Sequence, residues 1–180
     1  MRKHWNLLNI IEFVLIYGLI ALLLYVAARD SGIISFGKPD DSEIDFESVQ
    51  LVRVVDGDTL LVSSEGEDVR VRMIGIDTPE SVHPDERLNT AEGIKASEYV
   101  KELLDGVGTL YLEYDVEKYD KYERVLAYVW LSDTVNPNNP DDTRVYMLNA
   151  ILLEHGIANE YEYPPNMKYV ALFRQIADGR

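Results

Sequence analysis

The stretch VRMIGIDTPE, residues Val71–Glu80, starts as an alternating strand and ends in two acids around a proline. Successive strand side chains point to opposite faces, so Val69, Val71 and Met73 share one side while Arg70, Arg72 and Ile74 take the other. Pro79 pushes Thr78 toward an extended conformation and ends the ladder, which holds Asp77 and Glu80 near a strand terminus instead of on a swinging loop. Two carboxylates held in that way can bind a cation. Arg72 stands five positions before Asp77 and therefore on the opposite parity of a regular strand. A bend or bulge near Gly75 is required to aim both at one site.

Just upstream, VVDGDTL (Val54–Leu60) carries a second acidic group. Asp56 and Asp58 share a strand face unless Gly57 forms a bulge, and DGD also makes a simple turn. Set beside GIDTPE, this motif offers Asp58 and Asp77 as hard oxygen ligands from two rigid elements, with the Thr78 carbonyl as a third. Such a set favours calcium, with magnesium or manganese as the lesser alternatives. A chain with no cysteine and three histidines does not suit zinc. Downstream, YDKYERVLAYV (Tyr119–Val129) opens another strand with Arg124, whose planar donor fork suits a phosphate. Surface ion pairing with the abundant acids is the plainer role for either arginine.

The remaining pattern describes an α+β domain over residues 47–180. Ser48–Ser64 and Glu67–Asp77 read as a curled antiparallel meander turning at SEGE, and Thr109–Glu117 and Arg124–Ser132 as two further strands. Asn89–Leu104 has Ala91, Ile94, Ala96 or Ser97, Val100, Leu103 and Leu104 at helical spacing, with Thr90 or Asn89 as cap. VNPNNPDDT (Val135–Thr143) reads as a surface loop, Val145–Gly156 as one helix and Lys168–Gly179 as a short last one. Five strands with about three helices fit a small barrel of the oligonucleotide-binding type.

Ahead of this domain, Leu7–Ala28 is an apolar run interrupted by Glu12, long enough at about 1.5 Å per residue to cross a bilayer core of roughly 30 Å. Arg2, Lys3 and Trp5 flank it as expected of an anchor with a short cytoplasmic segment, residues 1–6, and the domain outside the cytoplasm. Residues 29–46 form an acidic linker. A cleaved signal peptide and secretion is the competing reading. The chain carries 17 Lys and Arg against 32 Asp and Glu, a net charge of −15, which repels polyanions at long range. A polyanion-binding site therefore needs a largely electroneutral cleft or high-salt surroundings.

Taken together, VVDGDTL, VRMIGIDTPE, AEGIKASEYV, DKYERVLAYV and YMLNAILLEHGIAN occur in the order found in staphylococcal nuclease-like domains, and the chain resembles that family from about Val49 to the last helix. The resemblance implies an oligonucleotide-binding-type barrel that hydrolyses DNA or RNA phosphodiesters with calcium, the 5′ oxygen leaving and a 3′-phosphate remaining. It assigns metal ligation to Asp58, Asp77 and the Thr78 carbonyl, the attacking water to Glu80, phosphate binding to Arg72 and Arg124, and electrostatic support to Asp56. Tyr161 and Tyr163 resemble the pair lining the family's substrate site, and Lys121 a phosphate-region lysine. Against the pattern, Glu123 stands where the family usually has glycine and brings a negative charge beside Arg124. His83 reads as loop decoration and His155 as helix surface. A membrane-tethered binding domain with little catalysis is the alternative function, and no obligate protein partner is implied.

Overall fold

The computed structural model describes residues 45–82, 85, 87 and 89–180. The apolar run at 7–28, its flanks, almost all of the acidic linker and His83 lie outside the described residues. Among the described residues no helix is long and apolar enough to cross a membrane.

Five strands close into a barrel in the order β1 (Glu47–Asp56), β2 (Thr59–Ser64), β3 (Glu67–Met73), β6 (Val125–Trp130), β5 (Thr109–Glu113). The β1–β2–β3 meander is antiparallel, as its alternation and turn chemistry predict. Closure depends on β1 serving two neighbours. Its first half pairs with β5 and its second half with β2, and register shifts between Leu51 and Arg53 and between Val54 and Asp56 bend it from one to the other. The remaining contact, β3 with β6, is parallel and pairs Val71–Met73 with Val125–Ala127. Every residue of β6 is buried.

Four helices, not three, are present among the described residues: α1 (Ala91–Leu103), α2 (Pro140–Tyr146), α3 (Leu148–Glu154) and α4 (Val170–Asp178). The segment read as one helix from Val145 is two. Met147 adopts an extended backbone and bridges to Trp130, breaking the helical path, while Asn139 caps α2 and draws Pro140–Thr143 out of the expected loop. Thr90 caps α1 through Gly93 N. Ile94 departs from the helical spacing and is 49% exposed, whereas Ala96, Ser97 and Val100 are buried as that spacing implies, with Gly93 beside them.

Buried polar side chains fasten helices to the barrel. Asn149 of α3 accepts from Val129 N at 2.9 Å and donates to Ile74 O at 2.8 Å. Glu113 accepts from Trp130 Nε1 at 2.8 Å and from the Tyr169 hydroxyl, with the Lys168 ammonium beside it. A two-stranded sheet absent from the sequence reading, β4 (Ile76–Asp77) with β7 (Asn159–Glu160), brings the segment that follows α3 against the end of VRMIGID.

Candidate active site

The parity conflict between Arg72 and Asp77 is resolved at Ile74–Gly75. Gly75 has φ +80°, a conformation open to glycine, and the chain turns there between β3 and β4. The turn brings two carbonyls back over the arginine, so Arg72 Nη1 donates to Met73 O at 2.8 Å and to Ile76 O at 2.9 Å. Nη2 lies 2.8 Å from Asp77 Oδ1 and 3.1 Å from Asp58 Oδ2. Asp58 is not a strand residue: Asp56 pairs with Thr59, leaving Gly57 and Asp58 as the two turn residues of a tight hairpin. Because Thr59 pairs with Arg72, that turn delivers Asp58 to the guanidinium. Thr78 is buried and ties the two acidic motifs together, its N and Oγ1 donating to Asp58 Oδ2 at 3.0 and 3.2 Å. Burial holds the Asp77 carboxyl above its usual range; Arg72 opposes the shift and the charges of Asp58 and Asp56 reinforce it.

Asp56 lines the same groove as Asp58 but has different partners. Its Oδ1 accepts from Gly57 N at 2.8 Å and from Ser81 Oγ at 2.6 Å, which fastens the loop that carries Glu80. Glu80 is exposed, and its carbonyl accepts from Thr90 N at 2.9 Å at the start of α1. With Thr78 tied to Asp58 before it and Ser81 to Asp56 after it, Glu80 is anchored on both sides along the chain.

Arg124 enters from the start of β6, with Nε 2.7 Å from Asp120 Oδ2. Burial pushes the Asp120 carboxyl up, but the Arg124 backbone N–H, its guanidinium and the Tyr122 N–H together bring it below its usual value. The turn between these partners puts Glu123 in the left-handed region. Glu123 has φ +63°, and its N donates to Asp120 O at 3.1 Å. Glu123 is not among the residues lining the groove that holds Lys121, Tyr122 and Arg124, and its left-handed backbone adds a conformational cost to the charge it carries beside Arg124. Glu123→Gly is expected to raise stability by about 1 kcal/mol by relieving the left-handed conformation. Equal or earlier unfolding of the variant in urea would show the turn to be unstrained.

Pairing of β7 with β4 and the bond from Tyr161 N to Gly75 O at 3.0 Å carry Tyr161 and Tyr163 to this groove. Their rings are 6.3 Å apart, edge to face. Burial raises the Tyr163 hydroxyl pKa, with the Asp120 charge adding to it and Arg124 and Arg72 opposing it. Lys121 lies over the Tyr122 ring at 4.9 Å. The groove has a volume of about 880 Å³ and gathers Asp56, Asp58, Arg72, Asp77, Glu80, Lys121, Arg124, Tyr161 and Tyr163; Thr78 sits beneath them. Arg53, Arg70, Tyr122 and Glu162, not singled out from sequence, also line it. The parity of Arg70 with Arg72 was the one sequence signal for the additional arginines. Five cationic and five carboxylate side chains line the groove of a chain carrying −15 overall. By formal charge the groove lining is thus neutral.

The family described as "Staphylococcal nuclease homologue" matches residues 70–178. Asp56 and Asp58 fall just ahead of the matched segment. The chain is 41% identical over 138 residues to a thermonuclease of Staphylococcus intermedius, covering 77% of this chain and 74% of that protein. It is 37% identical over 123 residues to a thermonuclease of Staphylococcus hyicus, covering 68% and 64%. Similarity to the endonuclease YncB of Bacillus subtilis is 38% over 129 residues, which spans 71% of this chain and 54% of that protein.

Proposed function

Since this chain belongs to the staphylococcal nuclease homologue family, we propose that it is a calcium-dependent phosphodiesterase hydrolysing DNA or RNA. The observation that carries this reading is the meeting of Asp58 and Asp77 at one nitrogen of Arg72, in a groove shared with Glu80 and Arg124.

The donor set fits a hard cation. Asp58 and Asp77 offer carboxylate oxygens, and Thr78, bonded to Asp58, supplies the main-chain carbonyl. Among the described residues no group of three or more His, Cys, Asp or Glu side chains forms a metal cage. A cation held here therefore takes the balance of its ligands from water. Bound there, it supplies Lewis-acid charge to a phosphoryl oxygen, calcium before magnesium or manganese. Asp58 and Asp77, which hold Arg72 Nη2, are the same carboxylates that would hold the cation. Arg72 and Arg124 donate to the equatorial oxygens as negative charge grows on them. Glu80 would orient the attacking water and accept its proton; the water oxygen bonds phosphorus, the bond to the 5′ oxygen breaks and that oxygen takes a proton from solvent, leaving a 3′-phosphate and a 5′-hydroxyl. Among the residues lining the groove, Lys121 and Tyr163 would contact phosphate and Tyr161 would stack on a base, while Asp56 holds the Glu80 loop through Ser81.

Full-length protein is expected to cleave labelled single-stranded DNA, duplex DNA or RNA with calcium and to stop in chelator, with products ending in 3′-phosphate. Asp77→Asn is expected to weaken calcium binding by about tenfold or more in calorimetry, since a neutral amide replaces a carboxylate ligand. Equal calcium affinity would remove Asp77 from the site, and oligonucleotide binding without cleavage would make the chain a tethered binding domain. The apolar length of residues 7–28 and the Arg2 and Lys3 flank support a retained anchor with the domain outside the cytoplasm. Recovery of the protein only as a shortened soluble form would overturn that placement.

A further inference from the structure

We propose that Arg53 and Arg70 form a second phosphate-binding strip, which holds the nucleic-acid strand where it continues beyond the scissile phosphodiester. Arg53 of β1 pairs with Leu61 of β2, and Leu61 pairs with Arg70 of β3, so the three occupy one row across the meander. Directly paired residues share a sheet face. At the usual strand spacing the two arginines stand about 10 Å apart at Cα, and Arg70 lies about 7 Å along β3 from Arg72 on the same parity. Both are exposed and both line the groove.

Their electrostatic state separates them from most other cations. Among the described residues Arg72, Arg87, Lys118, Arg124, Arg144, Lys168 and Arg174 are each committed to a carboxylate. Arg53 and Arg70 take part in no ion pair there, although acids outnumber bases in the chain almost two to one. Cations left unpaired beside a groove can neutralise phosphates at little cost in broken contacts. They also answer a shortage at the chemical centre, where Arg72 and Arg124 are already engaged by Asp58, Asp77 and Asp120. The carboxylates at the centre suit the cation and the reaction; the strip supplies the attraction that they remove.

The strand's identity as nucleic acid rests on the nuclease reading, but binding tests the strip without cleavage. The probe is a fluorescently labelled single-stranded DNA of about twelve nucleotides, titrated with full-length protein in nonionic detergent and chelator. Each lost phosphate contact reduces the salt slope of log K by about 0.7 for a single strand. The R53Q/R70Q variant is thus expected to bind about tenfold more weakly at about 0.1 M salt, with a slope shallower by about 1.4. K95Q/K101Q makes the same change in net charge away from the groove and is expected to bind within about twofold of wild type with the wild-type slope. R53K/R70K is expected to recover most of the affinity, which excludes a folding defect. The proposal is overturned if R53Q/R70Q binds like wild type, if K95Q/K101Q loses as much, if the lysine variant binds as poorly as the glutamine one, or if wild type does not bind. Normal binding with no cleavage in calcium would instead sink the nuclease reading and leave the strip standing.

Discussion

Arg72→Gln is expected to lower cleavage by at least about 10³-fold and folding stability by about 3 kcal/mol. Arg72 is 6% exposed, and its donors serve two carbonyls and two carboxylates at once. Glutamine cannot reach this set. Removing the guanidinium leaves the Asp58 side chain, 10% exposed, without its counter-charge and beside Asp56 and Asp77. Breaking a buried pair costs about 3–5 kcal/mol, and the lower end applies because the Asp77 side chain is 57% exposed and water can replace its partner. In the proposed mechanism, loss of a guanidinium from the developing phosphoryl charge accounts for the rate. Arg72→Lys separates the two effects: restored charge recovers part of the stability, while a point charge without the fork does not recover the rate. Urea unfolding and single-turnover cleavage give the two readings. Stability within about 1 kcal/mol of wild type together with a rate within about tenfold would make this arginine neither keystone nor phosphate clamp.

Gly93→Ala is expected to reduce kcat by about 10²-fold and stability by about 2 kcal/mol, although Gly93 touches no substrate. Alanine is ordinarily the better helix residue, by about 1 kcal/mol, so helix propensity alone predicts the opposite sign. The α1 helix lies directly on the main chain of Pro79 and Glu80. A Cβ at position 93 would stand 2.6 Å from Pro79 O and closer still to the Glu80 carbonyl group. Backbone cannot rotate away as a side chain can, so either α1 or the Glu80 loop must shift. The loop is held by Thr90 N on one side and Asp56 on the other, and displacement by about 1 Å of a catalytic group is enough for a loss of this size. Ile94→Ala, on the exposed face of the same helix, is expected to change stability by less than about 0.5 kcal/mol and kcat hardly at all. Equal kinetics for Gly93→Ala and wild type would show that the Glu80 position is not set by this contact.

Much of the site was legible because its two acidic motifs are local features. Asp77, Thr78, Pro79 and Glu80 follow a strand whose alternation is written in adjacent residues, and Gly57–Asp58 makes a hairpin that short-range sterics favour. Thr90 declared itself as a cap, and the alternating segments declared the meander. The position of Arg124 was read correctly as a strand start. The left-handed backbone of Glu123, φ +63°, has no counterpart in the side-chain pattern, which offers only its charge.

What the chain by itself determined, then, was which residues alternate, which turn and which carry oxygen or guanidinium chemistry, since φ/ψ preference and side-chain periodicity act over a few neighbours. Tertiary structure decided which of those residues meet. The parallel β3–β6 contact closes the barrel across more than 50 residues of chain, β4 pairs with β7 to bring both tyrosines to Asp77, and Met147 breaks a helix to reach Trp130. None of these pairings has a local signature, because its free energy comes from buried area and hydrogen bonds between distant segments. The turn at Gly75 is the point where both levels act: glycine permits the angle, but only the bonds from Arg72 to Met73 O, Ile76 O and Asp77 show why the chain bends there.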